Sequence, residues 1–384
     1  MPTTIRDVAR ASGVHVSTVS RTFSAPHMVN PETRSRVLAT AESMGYRPNR
    51  AARALITGRT GNIGLIVADI TNPYFPPMIK AAEGQSRHRD YHVFVADTDE
   101  DPVVEEELVQ AMVKQVDGVV LASPRMANTS IERLAREIPL VMINRIVGDL
   151  PAVVMDLAEG ARDAIEHLVG LGHRQLLYLA GPRSSWNNRE IRRSAMATAR
   201  AHGARLEAIG PNPPTWDGGQ AIAERVAATG ATAVLAYNDL MAIGLMSGLH
   251  HLGVAVPEEV SVVGIDDTPL SALSRPALTT VATPGAAAGR SAVDMLLHQD
   301  IQPRTGRGTP PRDQHRTTAK VILQTTLIPR ESTGPAPRRR ATATAPATDT
   351  AAVAAAPAAA LTADLFSSRS PVASRSPFAS RSEE

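Results

Sequence analysis

Residues Thr4–Ser24 read TIRDVARASGVHVSTVSRTFS, and the interpretation of the chain turns on this stretch. Thr4 followed three residues later by Asp7 has the form of a capping box, and Ile5, Val8 and Ala9 then make one apolar stripe. Gly13 supplies a tight turn. A second short helix follows over VSTVSRTFS, with Val14, Val19 and Phe23 expected to face inward and Ser17, Thr18, Ser20 and Arg21 outward. Further on, Asn30-Pro31-Glu32 places a capping side chain, a first-turn proline and an acid at the positive end of a third helix. Val37, Leu38, Ala41 and Met44 are its expected buried face, and Gly45 ends it. Three short helices around a small core, with a glycine-bearing turn between the first two, match a helix-turn-helix unit.

Charge sets this all-α head apart from the rest. Residues 1–60 carry nine arginines against Asp7, Glu32 and Glu42, a net of +6, within a chain whose formal net charge is only +2. The remainder is therefore acidic on balance. A basic head on an acidic body points to a polyanion partner for the head and a separate task for the body.

The chain has 384 residues, enough for two or three domains with substantial cores. Residues 1–48 form the expected head, 49–60 a short Ala/Arg segment, 61–330 the core, and 331–384 a low-complexity Ala/Pro/Ser/Arg tail expected to be disordered. In the core, short apolar runs (63–68, 93–96, 118–122, 140–143, 176–180, 233–236 and 260–265) read as fully buried strands. Helical patterns lie between them at 76–88, 102–115, 158–171, 189–202, 218–229 and 239–252. This alternation implies an α/β core of parallel sheets, and about 270 residues suit two such lobes better than one. Ligands in such folds bind beyond the carboxyl ends of the strands.

Absences narrow the function. Cysteine is missing, which excludes disulfides, thiolate catalysis and thiolate metal sites. No P-loop, G-x-S-x-G, G-x-G-x-x-G or H-E-x-x-H occurs, and the eleven histidines lack ligand spacing, so neither enzyme chemistry nor a metal or cofactor is expected. No apolar run approaches about 18 residues, and MPTTIRDVAR lacks a secretory signal. A cytoplasmic location without membrane attachment is expected.

The order and spacing of several long motifs carry a resemblance. TIRDVARASGVHVSTVSRTFS, VNPETRSRVLATAESMGYRPNRAARAL, TGRTGNIGLIVADITNPYF, VDGVVLASPR, LGHRQLLYLAGPRSSWNNRE, ATAVLAYNDLMAIGL, VPEEVSVVGIDDTPLSALSRPALTTV and IPRESTG together resemble the LacI/GalR family of bacterial transcription regulators from residue 3 to about 334. The resemblance implies a homodimer on a palindromic operator in double-stranded DNA, and a core like a periplasmic binding protein that closes on a small effector. It makes Val16–Ser24 the recognition helix. Val16 and Ser17 occupy the positions that vary with operator, and Thr18, Ser20 and Arg21 match the TVSR motif. Arg21 either chelates the O6 and N7 of a guanine or meets phosphate only. His15 stands where a capping Ser is usual, with its imidazole within reach of phosphate, and Thr4 completes the DNA-facing set in the head.

The segment Asn49–Ile56 is too short for a stable isolated helix. By the resemblance it is a hinge that folds in the minor groove as a dimer, with Leu55 wedged between base pairs and Asn49, Arg50 and Arg53 beside the backbone or in the groove. A plain linker is the alternative. In the core, candidate effector residues are Tyr74 and Phe75 after the first strand, Asp156 and Asp266 at strand ends, Asn238, and the Trp186, Asn187 and Arg189 group. One departure stands out: Ile191 occupies the place where the family commonly has an effector-anchoring Arg, leaving Arg189, Arg192 and Arg193 as substitutes. A sugar or sugar phosphate is the expected effector, a nucleoside or purine the alternative, and repression the expected output, with co-repression or activation as alternatives.

Overall fold

The computed structural model describes residues 3–47, 58–299 and 319–337. The head consists of α1 (Ile5–Ser12), α2 (Val16–Ser24) and α3 (Pro31–Ser43), with a 3-10 turn at Pro26–Met28. Val8, Ala9, Val19, Val37 and Ala41 form its buried centre, ringed by Ile5, Val14, Val16, Phe23, Met44 and Tyr46. Leu38 departs from expectation and is 43% exposed. The contact stripe of α3 is narrow, and Val37 and Ala41, spaced i,i+4, fill it.

The first lobe of the core is built from β1 (Asn62–Val67), α4 (Phe75–Arg87), β2 (His92–Asp97), α5 (Pro102–Met112), β3 (Val119–Ala122), α6 (Asn128–Leu134), β4 (Leu140–Ile143) and β5 (Ala152–Met155). The chain then builds the second lobe from α7 (Leu157–Gly170), β6 (Gln175–Leu179), α8 (Trp186–Ala201), β7 (Arg205–Ile209), α9 (Trp216–Ala221), α10 (Ala223–Ala228), β8 (Ala233–Ala236), α11 (Asp239–His251), β9 (Ser261–Asp266), α12 (Pro269–Leu273) and β10 (Thr279–Ala282). Helix α13 (Gly285–His298) returns to pack on α4 and β4, β11 (Lys320–Leu323) joins β5, and β12 (Thr326–Ile328) joins β10.

The strand orders are β11-β5-β4-β3-β1-β2 and β12-β10-β9-β8-β6-β7. Every pairing is parallel except β10 with β12. The chain thus passes between lobes three times, after β5, after β10 and between β11 and β12. The first and third passes are stitched together, and the second is tied to the end of β9. Asp156 N donates to Leu323 O (2.9 Å), Thr325 Oγ1 donates to Asp156 O (2.9 Å), and Thr283 Oγ1 donates to Asp266 O (3.2 Å).

Two expectations are corrected. Strand β2 lies at a sheet edge with His92, Phe94 and Asp97 exposed, so it is not a fully buried strand; an edge strand has a neighbour on one side only. The fold also continues past 330. Ser332 Oγ donates to Val262 O (2.6 Å), His173 Nε2 lies 3.0 Å from Gly334 O, and Ala336 N donates to Leu171 O (2.9 Å). The small polar residues there look like linker but serve as hydrogen-bonding groups for buried backbone. The remainder of the expected tail, 338–384, lies outside the described residues. Among the described residues no helix is long and apolar enough to cross a membrane.

Candidate functional site

On the head, α2 begins at His15, whose Nδ1 accepts from Ser17 N (3.3 Å) and lies 2.9 Å from Ser17 Oγ. The imidazole therefore caps the helix in place of a hydroxyl. His15, Ser17, Ser20 and Arg21 are exposed along one side, Val16 and Thr18 are half-buried, and Thr22 turns its hydroxyl back to Thr18 O. Thr4 Oγ1 donates to Asp7 Oδ2 (2.6 Å), and Thr4 N donates to the same oxygen (3.0 Å). Those bonds to Thr4, aided by Arg10, hold the Asp7 carboxyl below its ordinary range. The Thr4 hydroxyl proton is thus committed to the cap. Asn49, Arg50, Arg53 and Leu55 lie outside the described residues. The chain re-enters the described structure at a clamp: Asp117 accepts from Thr60 N (2.7 Å), Thr60 Oγ1 (2.9 Å) and Gly61 N (3.0 Å).

Between the lobes, the strand ends border a polar cleft. The first lobe contributes Asn72, Tyr74, Phe75, Glu100, Ser123, Arg125 and Asn144; the second contributes Asn187, Ile191, Pro214, Tyr237, Asn238 and Asp266. Of these residues, Glu100, Ser123, Asn144 and Asp266 have positive φ (63°, 58°, 59° and 124°). Non-glycine residues in this region are costly, by about 1–3 kcal/mol each, and tend to gather at functional sites. Here they turn the chain sharply at the ends of strands, so that side chains point into the cleft.

Polar groups in the cleft fall into two sets. Some are spent on the protein: Asn144 Nδ2 donates to Tyr74 Oη (2.9 Å), Asn238 Oδ1 caps α11 through Met241 N (2.9 Å), and Asn238 Nδ2 donates to Pro214 O (2.8 Å). Others are not. Asn187 Oδ1 is buried with no partner. The Asp266 carboxyl is pushed well above its ordinary range by burial first and by neighbouring Asp239 second. Asp239 is itself raised to about 7, mainly by burial, although Thr268 N donates to it (2.8 Å) and so does Thr280 Oγ1. Beside them Asp267 is tied to Arg330 Nη2 (2.6 Å).

Of the expected effector residues, Tyr74, Phe75, Asn187, Asn238 and Asp266 line the cleft, and three do not. Asp156 caps α7 by accepting from Glu159 N (3.0 Å) at a crossing between lobes. Trp186 packs on apolar residues of the first lobe. Arg189 is exposed, as are Arg192 and Arg193. Position on a helix explains the arginines: each lies one or two residues from Ile191, which does line the cleft, and so faces another way. Glu100, Ser123, Arg125, Asn144 and Tyr237 complete the site and were missed. Their one signal is placement directly after strands.

A helix-turn-helix head joined to two lobes that meet on a polar cleft defines a ligand-responsive DNA-binding protein. A family model for bacterial regulatory proteins of the lacI family matches residues 4–49, and one for a periplasmic binding protein-like domain matches 165–333. The chain is 32% identical over 302 residues to the HTH-type transcriptional regulator GalS of Salmonella typhimurium, covering 77% of this chain and 89% of that protein. Among solved structures, the Lac repressor dimer bound to operator and the anti-inducer ONPF superposes with a TM-score of 0.74 at 26% identity, covering 87% of this chain and all of that one. A complex of the transcriptional regulator CelR with cellobiose gives 0.61 at 26% identity, over 86% and 99%. The chain belongs to the lacI family of bacterial regulatory proteins, and it is a DNA-binding transcriptional regulator rather than an enzyme.

Proposed function

We propose that the chain is a dimeric repressor that reads a palindromic operator through α2 and responds to a carbohydrate held between its lobes. The observation that carries this reading is that Asn187 Oδ1, buried with no partner, and the Asp266 carboxyl share one cleft with aromatic Tyr74 and Phe75. Acceptors facing aromatic surfaces suit the hydroxyl and C–H faces of a sugar. The relatives that support it are a repressor bound to operator as a dimer and a regulator bound to cellobiose. Residues 1–48 are the reading head, 49–60 the hinge, and 61–330 with its continuation to 337 the sensing core. His15, Val16, Ser17, Thr18, Ser20 and Arg21 face bases or phosphates, and Asn49, Arg50, Arg53 and Leu55 carry the minor-groove contact.

The test is selection of bound duplexes from a random-sequence library by the full chain, with and without a panel of pentoses, hexoses and disaccharides. Enriched sites are expected to be palindromic. At least one sugar should shift operator affinity by about 5- to 150-fold, the usual span of such coupling. Enrichment of non-palindromic sites, or affinity indifferent to every sugar, would overturn the reading.

A further inference from the structure

In this cleft the guanidinium comes from the first lobe. Ile191 is buried and apolar, and Arg189, Arg192 and Arg193 face solvent, so α8 offers no cation to a ligand. Arg125, in the loop after β3, lines the cavity with its side chain only 4% exposed. Its placement is over-determined. Glu105 Oε2 accepts from the backbone N–H of both Arg125 and Met126 (2.8 Å each), which fixes the loop. Arg125 Nη1 donates to Ser123 O (2.8 Å), while Nη2 (2.9 Å) and Nε form a two-pronged bond to Glu100.

A guanidinium has five N–H groups; three make these bonds, a fourth is engaged by the Tyr237 hydroxyl, and one is left. Tyr237 of the second lobe stands beside it, its hydroxyl 2.9 Å from Ser185 Oγ. Across the cavity Asn187 Oδ1 is buried without a donor. The cleft therefore presents a donor on the first lobe and an acceptor on the second. A compound carrying several hydroxyls answers both, because each hydroxyl donates and accepts.

Charge narrows the class further. Glu100 neutralises Arg125 at contact distance, and among the described residues lining the cavity the other carboxyl is Asp266. An anionic ligand would enter with no cationic surplus to receive it, and unpaired charge in a closed site is costly.

We propose that Arg125, held by Glu100, anchors the effector in place of the helix arginine, and that this ion pair restricts the cleft to uncharged polyhydroxy compounds over their phosphates. The proposal rests on the reading of the cleft as a carbohydrate site.

The experiment measures thermal shift and calorimetric affinity of the full-length chain with pentoses, hexoses and disaccharides, with the phosphates of the same sugars, and with inorganic phosphate. A neutral sugar should stabilise the wild type, and its phosphate should bind at least tenfold more weakly. Arg125→Gln should weaken that sugar at least tenfold, and Arg125→Lys, which keeps the charge but loses the fork, by a similar factor. Should Arg125→Gln fail to fold, Glu100→Gln carries the test. Freeing the guanidinium should give a folded protein that inorganic phosphate now stabilises.

A phosphate that binds the wild type as well as its parent sugar overturns the proposal and leaves the sensor reading intact. So does an Arg125 variant that keeps sugar affinity within twofold, or a folded Glu100→Gln indifferent to phosphate. If no sugar, free or phosphorylated, stabilises the wild type, the carbohydrate reading itself fails.

Discussion

Asp266 occupies a costly position: the carboxylate is crowded by burial and by Asp239, and its backbone sits at φ 124°. Because burial raises both carboxyls, the folded state holds protons more tightly than the unfolded chain, so their ionisation destabilises the fold. The penalty grows as pH rises from the ordinary carboxylate range to about 7, with a slope of up to about 1.4 kcal/mol per pH unit per proton. Asp266→Asn is therefore expected to melt higher than the wild type at pH 7.5, with the gain shrinking at pH 4.5, while losing sugar binding. Calorimetry at the two pH values checks it, and an Asn variant less stable at neutral pH would contradict the assignment. His173 and His167 work in the opposite direction, since burial lowers both and favours their neutral forms, so the wild-type curve alone does not isolate the carboxyl pair. In the head, Arg21→Ala should cost about 1–3 kcal/mol of operator binding, concentrated at one base pair if the side chain reads a guanine. A uniform loss over all sequences would mean phosphate contact. His15→Ser, restoring a hydroxyl cap to α2, should stabilise the head by about 0.5–1 kcal/mol in urea unfolding.

Among the elements, α9 and α11 pack closely enough that a Cβ added at Gly244 would lie 2.0 Å from Trp216 O, and one at Gly219 2.1 Å from Met241 O. Both obstacles are backbone, so the helices must separate to admit a methyl group. Gly244→Ala is expected to destabilise the chain by about 1–3 kcal/mol or more, read as a lower melting temperature with DNA selectivity unchanged. The same element scale shows what the sequence made legible. Strands such as IGLIV and AVLA are unbroken apolar runs, and burial on both faces makes them so. RLEAI at β7 and KVIL at β11 lie in or beside sheet edges and mix charge with apolar residues, so no period marks them. Helix α13, GAAAGRSAVDMLLH, starts without a side-chain cap and is rich in residues small enough to press against α4. In the cleft, Tyr74, Phe75 and Asp266 were readable because they follow strands in recognisable motifs. Glu100, Ser123 and Arg125 were not, because left-handed turns aim them and no spacing rule reports a turn of that kind.

For the whole molecule, ligand binding and fold stability are linked by mass action. An effector present at a hundred times its dissociation constant should add about 2.7 kcal/mol to the folded core, provided the unfolded chain does not bind it. Thermal melts across a sugar titration measure this, and a melting temperature flat with concentration would exclude that compound as an effector. Asp117, whose carboxylate holds Thr60 and Gly61 at the edge of the first lobe, anchors the described stretch of chain that leads in from the head. Asp117→Asn is expected to leave sugar affinity within twofold while weakening the response of operator binding to sugar.

The triple passage of chain between the lobes works as a torsion bar. Two of the three passes are bonded to each other at Asp156, Leu323 and Thr325, an arrangement that opposes sliding more than rotation about a common axis. Chemically different guests that draw the lobes together would all be converted into the same twist. The lining of the cleft is then free to diversify in evolution without redesign of the output, and the output can be retuned at the bar without disturbing what is recognised.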